Sequence, residues 1–138
     1  MTRVTSERLG ANRLAAWAVA LVLATSATGC VAAAAAGAAG AIYATSRGVE
    51  SLVARPIDAV AARAETVMRD MGIVQDASST KNSGAKREFK GKHGDLDVTI
   101  DLEQQDSGTT KVDVYARKNL AEWDKDYAHQ VLEQIIKE

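Results

Sequence analysis

Apolar and polar residues alternate along much of the second half of the chain. Apolar side chains separated by single polar ones occur at Leu96, Val98, Ile100 and Leu102, and again at Val112, Val114 and Ala116. This period of two is typical of strands in a sheet that has one buried and one solvent-facing side. Further strands are predicted over residues 48–54 and 73–79, and in the segment that precedes His93.

Turn residues predict how the last strands pair. A loop at residues 106–108, with Gly108 in the left-handed conformation, places Leu102 opposite Val112 and Asp101 opposite Asp113. This register also brings opposite charges together, Glu103 with Lys111 and Asp97 with Arg117, as expected of a correct pairing.

A two-residue loop of His93 and Gly94 is predicted for the preceding hairpin. It places Phe89 opposite Val98, Lys90 opposite Asp97 and Lys86 opposite Asp101, and it leaves Arg87 pointing inward opposite Ile100. The carboxylates of Asp97, Asp101 and Asp113 are then expected to form part of a solvated ladder of charges.

Two segments with helical periodicity accompany the strands. The first starts at Pro56, which suits a first helical position, and stops at Gly72; its apolar face is Ile57, Val60, Ala64, Val67, Met68 and Met71. The second has an apolar face made of Leu120, Trp123, Tyr127, Val131, Leu132, Ile135 and Ile136. The pattern predicts an α+β domain at residues 47–138, a two-layer sandwich in which two helices cover one face of an antiparallel sheet of four to five strands.

The first 46 residues differ in character from this domain. Arg3, Arg8 and Arg13 precede an apolar run at residues 14–24, which is typical of a signal peptide. The run leads to Ala27-Thr28-Gly29-Cys30, which resembles the lipobox of bacterial lipoproteins, with Ala27 where Leu is usual. We therefore predict a signal peptide at residues 1–29, lipid attachment at Cys30, and an Ala/Gly-rich tether, largely helical, at residues 30–46.

An uncleaved transmembrane helix is the alternative form of anchoring. The uncharged stretch from Leu14 to Ser46 is longer than the ~20 residues that cross a bilayer. Both readings leave the C-terminal domain outside the cytoplasm, because positively charged flanks stay inside. Several acyl chains on one cysteine would anchor the protein durably. Val31, where Asp would favour retention in the inner membrane, implies by resemblance the outer membrane, with the domain facing the periplasm.

The C-terminal strings HGDLDVTIDLEQQDSGTTKVDVY, from His93 to Tyr115, and YAHQVLEQIIKE resemble a family of small bacterial lipoproteins of unknown function. The resemblance implies an Ala/Gly-rich tether followed by a strand, a helix, a run of antiparallel strands and a last helix. Residues 116–119 depart from the glycine-containing link expected before the last helix. The family supplies no catalytic residue.

Charge and motifs restrict the chemistry of the chain. From Cys30 onward the net charge is −3, which argues against nucleic-acid binding. His93, Asp95 and Asp97 alternate as metal ligands could, but we expect a turn and ion pairs there, and we expect His129 to be solvated on the last helix. No nucleophile motif or phosphate-binding loop occurs, so no catalytic residue, metal or cofactor is predicted.

Two classes of function remain open at the level of sequence. The first is a non-enzymatic binding or structural module of the cell envelope, with membrane lipid and an envelope protein as partners. The second is a periplasmic hydrolase or metal-dependent enzyme whose site forms only in three dimensions. A cleft that joins His93 or His129 to carboxylates would indicate the enzyme, and a charged sheet face over a filled core would favour the binding module.

Overall fold

A computed structural model describes residues 40–137. These residues form one antiparallel six-stranded sheet and two α-helices, which confirms the α+β class. In chain order the elements are β1 Tyr43–Ala44, β2 Val49–Val53, α1 Ile57–Asp70, β3 Val74–Lys81, β4 Lys86–His93, β5 Leu96–Asp106, β6 Thr109–Arg117 and α2 Lys125–Ile136. A 3₁₀ turn at Asn82–Gly84 joins β3 to β4. The spatial order of the strands is β1-β2-β6-β5-β4-β3.

The predicted number of strands, four to five, was too low because the sheet begins before residue 47. β1 lies within the segment predicted as a tether, and it pairs antiparallel with β2, Tyr43 opposite Glu50. Residues 40–46 of the predicted helical tether contain no helix, and residues 30–39 lie outside the described residues. Ile42, just before β1, packs against the core. The edge of β2 is therefore covered by the chain's own N-terminal segment.

Both helices pack against the same side of the sheet. The core joins apolar residues of α1 and α2 to alternate residues of the strands, among them Val60, Val131, Ile100 and Val114, all fully buried. α1 begins after Pro56 and ends before Gly72. Gly72 has a φ of +69°, the left-handed backbone conformation that commonly terminates a helix. We call the opposite, solvent-facing side of the sheet the open face.

The second helix is shorter than predicted, because a cap residue starts it late. Asp124 accepts a hydrogen bond from the backbone N–H of Tyr127 at 2.8 Å, which is the geometry of an N-cap. Leu120 and Trp123, predicted on the helical face, therefore lie before α2. Leu120 is 94% exposed in a loop, and Trp123 forms an isolated bridge with Arg117 at the end of β6.

The predicted pairing of β5 with β6 is confirmed, including Leu102 opposite Val112 and Asp101 opposite Asp113. A register shift between Gln104 and Asp106 adjusts the turn, and Gly108 does not have the positive φ that was predicted.

The predicted pairing of β4 with β5 was wrong by two residues. The turn consists of Gly94 and Asp95, with φ +57° at Gly94, so that His93 pairs with Leu96. A glycine at the first central position suits such a two-residue turn. A shift of two preserves which side chains face inward, because the period of a strand is also two. Arg87 still points toward the helices, where its guanidinium forms an ion pair with Asp58 in the first turn of α1.

Candidate binding face

The histidines considered in the sequence lie apart from the carboxylates of the open face. His93 is on the helix side, where its ring stacks on Tyr127 with centroids 5.0 Å apart. His129 is exposed on α2, and Asp95 is exposed in a turn, whereas Asp97 lies on the open face. Within residues 40–137, no three His, Cys, Asp or Glu side chains are grouped to hold a metal ion. Cys30 lies outside the described residues, so its lipidation stays a prediction.

Four carboxylates form a straight row across four neighbouring strands of the open face. Glu50 of β2 is opposite Asp113 of β6, which is opposite Asp101 of β5, which is opposite Glu88 of β4. We call these four residues the acid row. Only the central pair of this row, Asp101 and Asp113, was predicted from the sequence, because the wrong hairpin register put Lys86 opposite Asp101, where the structure has Glu88. Lys86 instead lies opposite Glu103, with its Nζ 3.0 Å from the carboxylate.

The acid row is neutralised unevenly. Lys111 Nζ lies 3.1 Å from Glu50 Oε2 and 3.3 Å from Asp113 Oδ1, and Lys90 Nζ lies 3.2 Å from Glu88 Oε1. Asp101 has no ion-pair partner among the described residues. Burial, followed by the charges of Glu88 and Asp113, raises its pKa. Burial also raises the pKa of Asp113, although Lys111 opposes that effect. The centre of the row therefore holds negative charge at a cost in free energy.

Asp97 lies in the opposite electrostatic environment, at the end of the same face. Its carboxylate oxygens are 3.0 Å from Lys92 Nζ and 3.4 Å from Arg117 Nη2. The hydrogen bond from Lys92, followed by that from Arg117, lowers the pKa of Asp97. The sequence predicted Arg117 as a neighbour correctly. It named Lys90 in place of Lys92, as a consequence of the register error.

An aromatic corner closes one end of the open face. Tyr115 and Trp123 meet edge to face, with ring centroids 6.3 Å apart. The guanidinium carbon of Arg47 lies 5.8 Å from the Tyr115 centroid and 5.9 Å from the Trp123 centroid, within cation–π range. Backbone hydrogen bonds place Trp123 there, including Asp124 N–H to the Ala116 carbonyl at 2.8 Å. Aspartate is favoured at the N-cap of a helix, so Asp124 could have indicated from the sequence that the helix begins after Trp123.

A shallow depression of about 350 Å³ lies between the aromatic corner and the acid row. Its lining includes cations, carboxylates and aromatic rings: Arg47, Lys90, Asp97, Asp101, Tyr115 and Trp123. Among the described residues, no His, Cys or Ser side chain lines this depression, and Thr99 contributes an aliphatic hydroxyl. Its chemistry suits recognition of a polar partner through hydrogen bonds, ion pairs and aromatic contact.

The fold and the open face define a small α+β domain with a polar, largely ion-paired surface. In the part of the chain that the structure describes, no helix is long and apolar enough to cross a membrane. Comparison with the models of known protein families found no match, and comparison with curated proteins found no similar protein.

Proposed function

We propose that the protein is a lipid-anchored, non-enzymatic binding module of the bacterial cell envelope. Cys30 carries the lipid, the residues between Cys30 and Gly40 act as the tether, and the domain faces the periplasm from the outer membrane. The single observation that supports anchoring is the order of features at the N-terminus: a basic head, an uncharged apolar run and small residues ending at Cys30.

The open face supports the binding part of this proposal. Helices cover one side of the sheet and leave the other to solvent, where the aromatic corner borders a polar depression. Trp123 is half-buried and Arg47 is exposed, and tryptophan and arginine are residue types that recur where proteins make their strongest contacts. The enzyme alternative would have gained support from a cleft joining a histidine to carboxylates. Instead, His93 and the acid row lie on opposite sides of the sheet.

Mass spectrometry of the mature N-terminus tests the anchor. We expect the wild-type chain to begin at residue 30 with an acylated cysteine, and Cys30→Ser to remain an unacylated precursor. A wild-type chain that keeps residues 1–29 while embedded in the membrane would contradict lipidation and support the uncleaved helix.

Crosslinking in the native envelope tests the binding face, with a matched pair of variants. Trp123→Ala removes one wall of the depression, whereas Leu120→Ala changes a fully exposed residue of the same loop that does not line it. We expect envelope crosslinks to persist in Leu120→Ala and to be lost in Trp123→Ala. Identical crosslinks in both variants would refute the assignment of the binding face.

A further inference from the structure

We propose that the sheet edge next to the tether, formed by Tyr43 and Leu52, lies against the lipid bilayer. These side chains are 58% and 55% exposed, respectively. Tyr43 is opposite Glu50 in the register of β1 and β2, so Leu52, two residues beyond Glu50, is its diagonal neighbour on the open face. We call this pair of residues the tether edge. The other large exposed apolar side chains of the described residues, Val74 and Leu120, lie on the opposite edge strand and in the loop after β6.

The chain enters the domain beside the tether edge. A side chain at Gly40 would collide with the carbonyl of Leu52 and the hydroxyl of Ser51, so the chain passes directly beside Leu52. Cys30 is ten residues earlier in the sequence, and Tyr43 and Leu52 are the first large exposed apolar side chains that follow it among the described residues. Along the chain, the tether edge is therefore the exposed apolar surface next to Cys30.

The chemistry of the segment also suits the membrane interface. Residues 31–46 carry no charge and are mostly Ala and Gly, so they oppose contact with lipid only weakly. Tyrosine favours the headgroup level, where its ring is buried and its hydroxyl stays wet. Two half-exposed side chains would bind a protein without a lipid anchor to a membrane only weakly. The anchor makes their contact with the bilayer intramolecular, and this raises its effective concentration.

The charges beside the tether edge balance one another. Glu50 stands directly opposite Tyr43, and Lys111, whose Nζ lies 3.1 Å from Glu50 Oε2, stands opposite Leu52. A balanced pair of charges requires no excess charge on the lipid surface. The partner surface is therefore a zwitterionic interface, of the phosphatidylcholine or phosphatidylethanolamine type. This inference rests on the proposed lipidation of Cys30.

Tryptophan fluorescence of the full lipidated protein in phosphatidylcholine vesicles tests the contact. Trp17 lies within the predicted signal peptide, residues 1–29, so Trp123 is the single tryptophan of the mature wild-type protein. The emission of Trp123 in the wild type can be subtracted from the emission of each variant. Leu52→Trp places a reporter at the tether edge, and Val74→Trp places a matched reporter at the opposite edge. With brominated acyl chains, we expect the added emission of Leu52→Trp to fall about twofold or more, since interfacial side chains reach the acyl boundary. The emission of Val74→Trp should not change.

Each other outcome overturns the contact, and the outcomes are distinguishable. Equal, weak quenching of both reporters in protein whose Cys30 is acylated would refute docking and leave the anchor intact. A blue shift of Leu52→Trp that grows with the protein-to-lipid ratio, without quenching by bromine, would show that a second copy covers the edge. A chain found without lipid on Cys30 would refute the proposed function and this inference with it.

Discussion

Replacing Asp101 by Asn should stabilise the protein. Asp101 stands between Glu88 and Asp113 in the acid row, without an ion-pair partner among the described residues. Asparagine has nearly the same shape and keeps an oxygen that can accept hydrogen bonds. The substitution therefore removes two like-charge contacts across the strands, and these outweigh the attraction of Lys90 and Lys81 that is lost with them.

The size of the effect follows from the geometry of the row. Charge pairs directly opposite each other in a sheet are worth roughly 0.2–1 kcal/mol each. Asp101 is only half-buried, so solvent screens both repulsions and the lower part of that range applies. Two relieved contacts give an expected gain of about 0.5–1 kcal/mol in the free energy of unfolding at neutral pH.

Urea unfolding followed by circular dichroism measures this gain, with Asp97→Asn as the matched control. Asp97 loses favourable contacts with Lys92 and Arg117, so the control should be destabilised at neutral pH. The folded-state pKa of Asp101 is raised, so the cost of its charge disappears as the pH falls through that pKa toward the ordinary value of 3.8. The advantage of Asp101→Asn should therefore shrink on acidification. A destabilised Asp101→Asn protein at neutral pH would refute the repulsion argument.

Three further changes test the packing of the fold. Ile100→Ala removes a fully buried side chain under both helices and should cost about 2–4 kcal/mol in urea unfolding; a cost below about 1 kcal/mol would mean that the buried face is assigned wrongly. Gly91→Ala would place a Cβ 2.6 Å from the Val74 carbonyl oxygen, and the strain should lower the unfolding free energy by about 1–3 kcal/mol; an unchanged unfolding free energy would contradict the close packing of β3 on β4. A chain that begins at residue 47 should lose about 1–2 kcal/mol relative to one that begins at residue 40, since Ile42 no longer packs on the core; hydrogen exchange of the β2 amides should rise, and unchanged exchange would contradict the role of β1.

Most of the fold could be predicted from the sequence, because periodicity reports burial directly. The alternation in β5 and β6 identified Val98, Ile100 and Val114 as core residues, and all three are buried. The β4–β5 register failed for a local reason. A glycine can occupy either central position of a two-residue turn, and both choices keep Phe89 inward. The inward pattern alone could not distinguish them.

The candidate face was less predictable, because it depends on contacts distant in the sequence. Glu50 joins the acid row only because β2 pairs with β6, and the order of the strands does not follow from alternation. Arg47 reaches Tyr115 and Trp123 for the same reason. Arg87, which had no explanation in the sequence, required the position of Asp58 in α1.

The position of β6 between β2 and β5 has a consequence for how the protein acquires its structure. The strand that is last in sequence is inserted into the interior of the sheet, and it pairs with the earliest long strand, Val49–Val53. Closing a loop of this length is entropically expensive and slow. A chain that is still emerging, with residues 109–117 not yet released, lacks the second neighbour of β2 and the second neighbour of β5. The sheet can therefore be completed only after residues 109–117 are available, because only β6 joins β2 to β5.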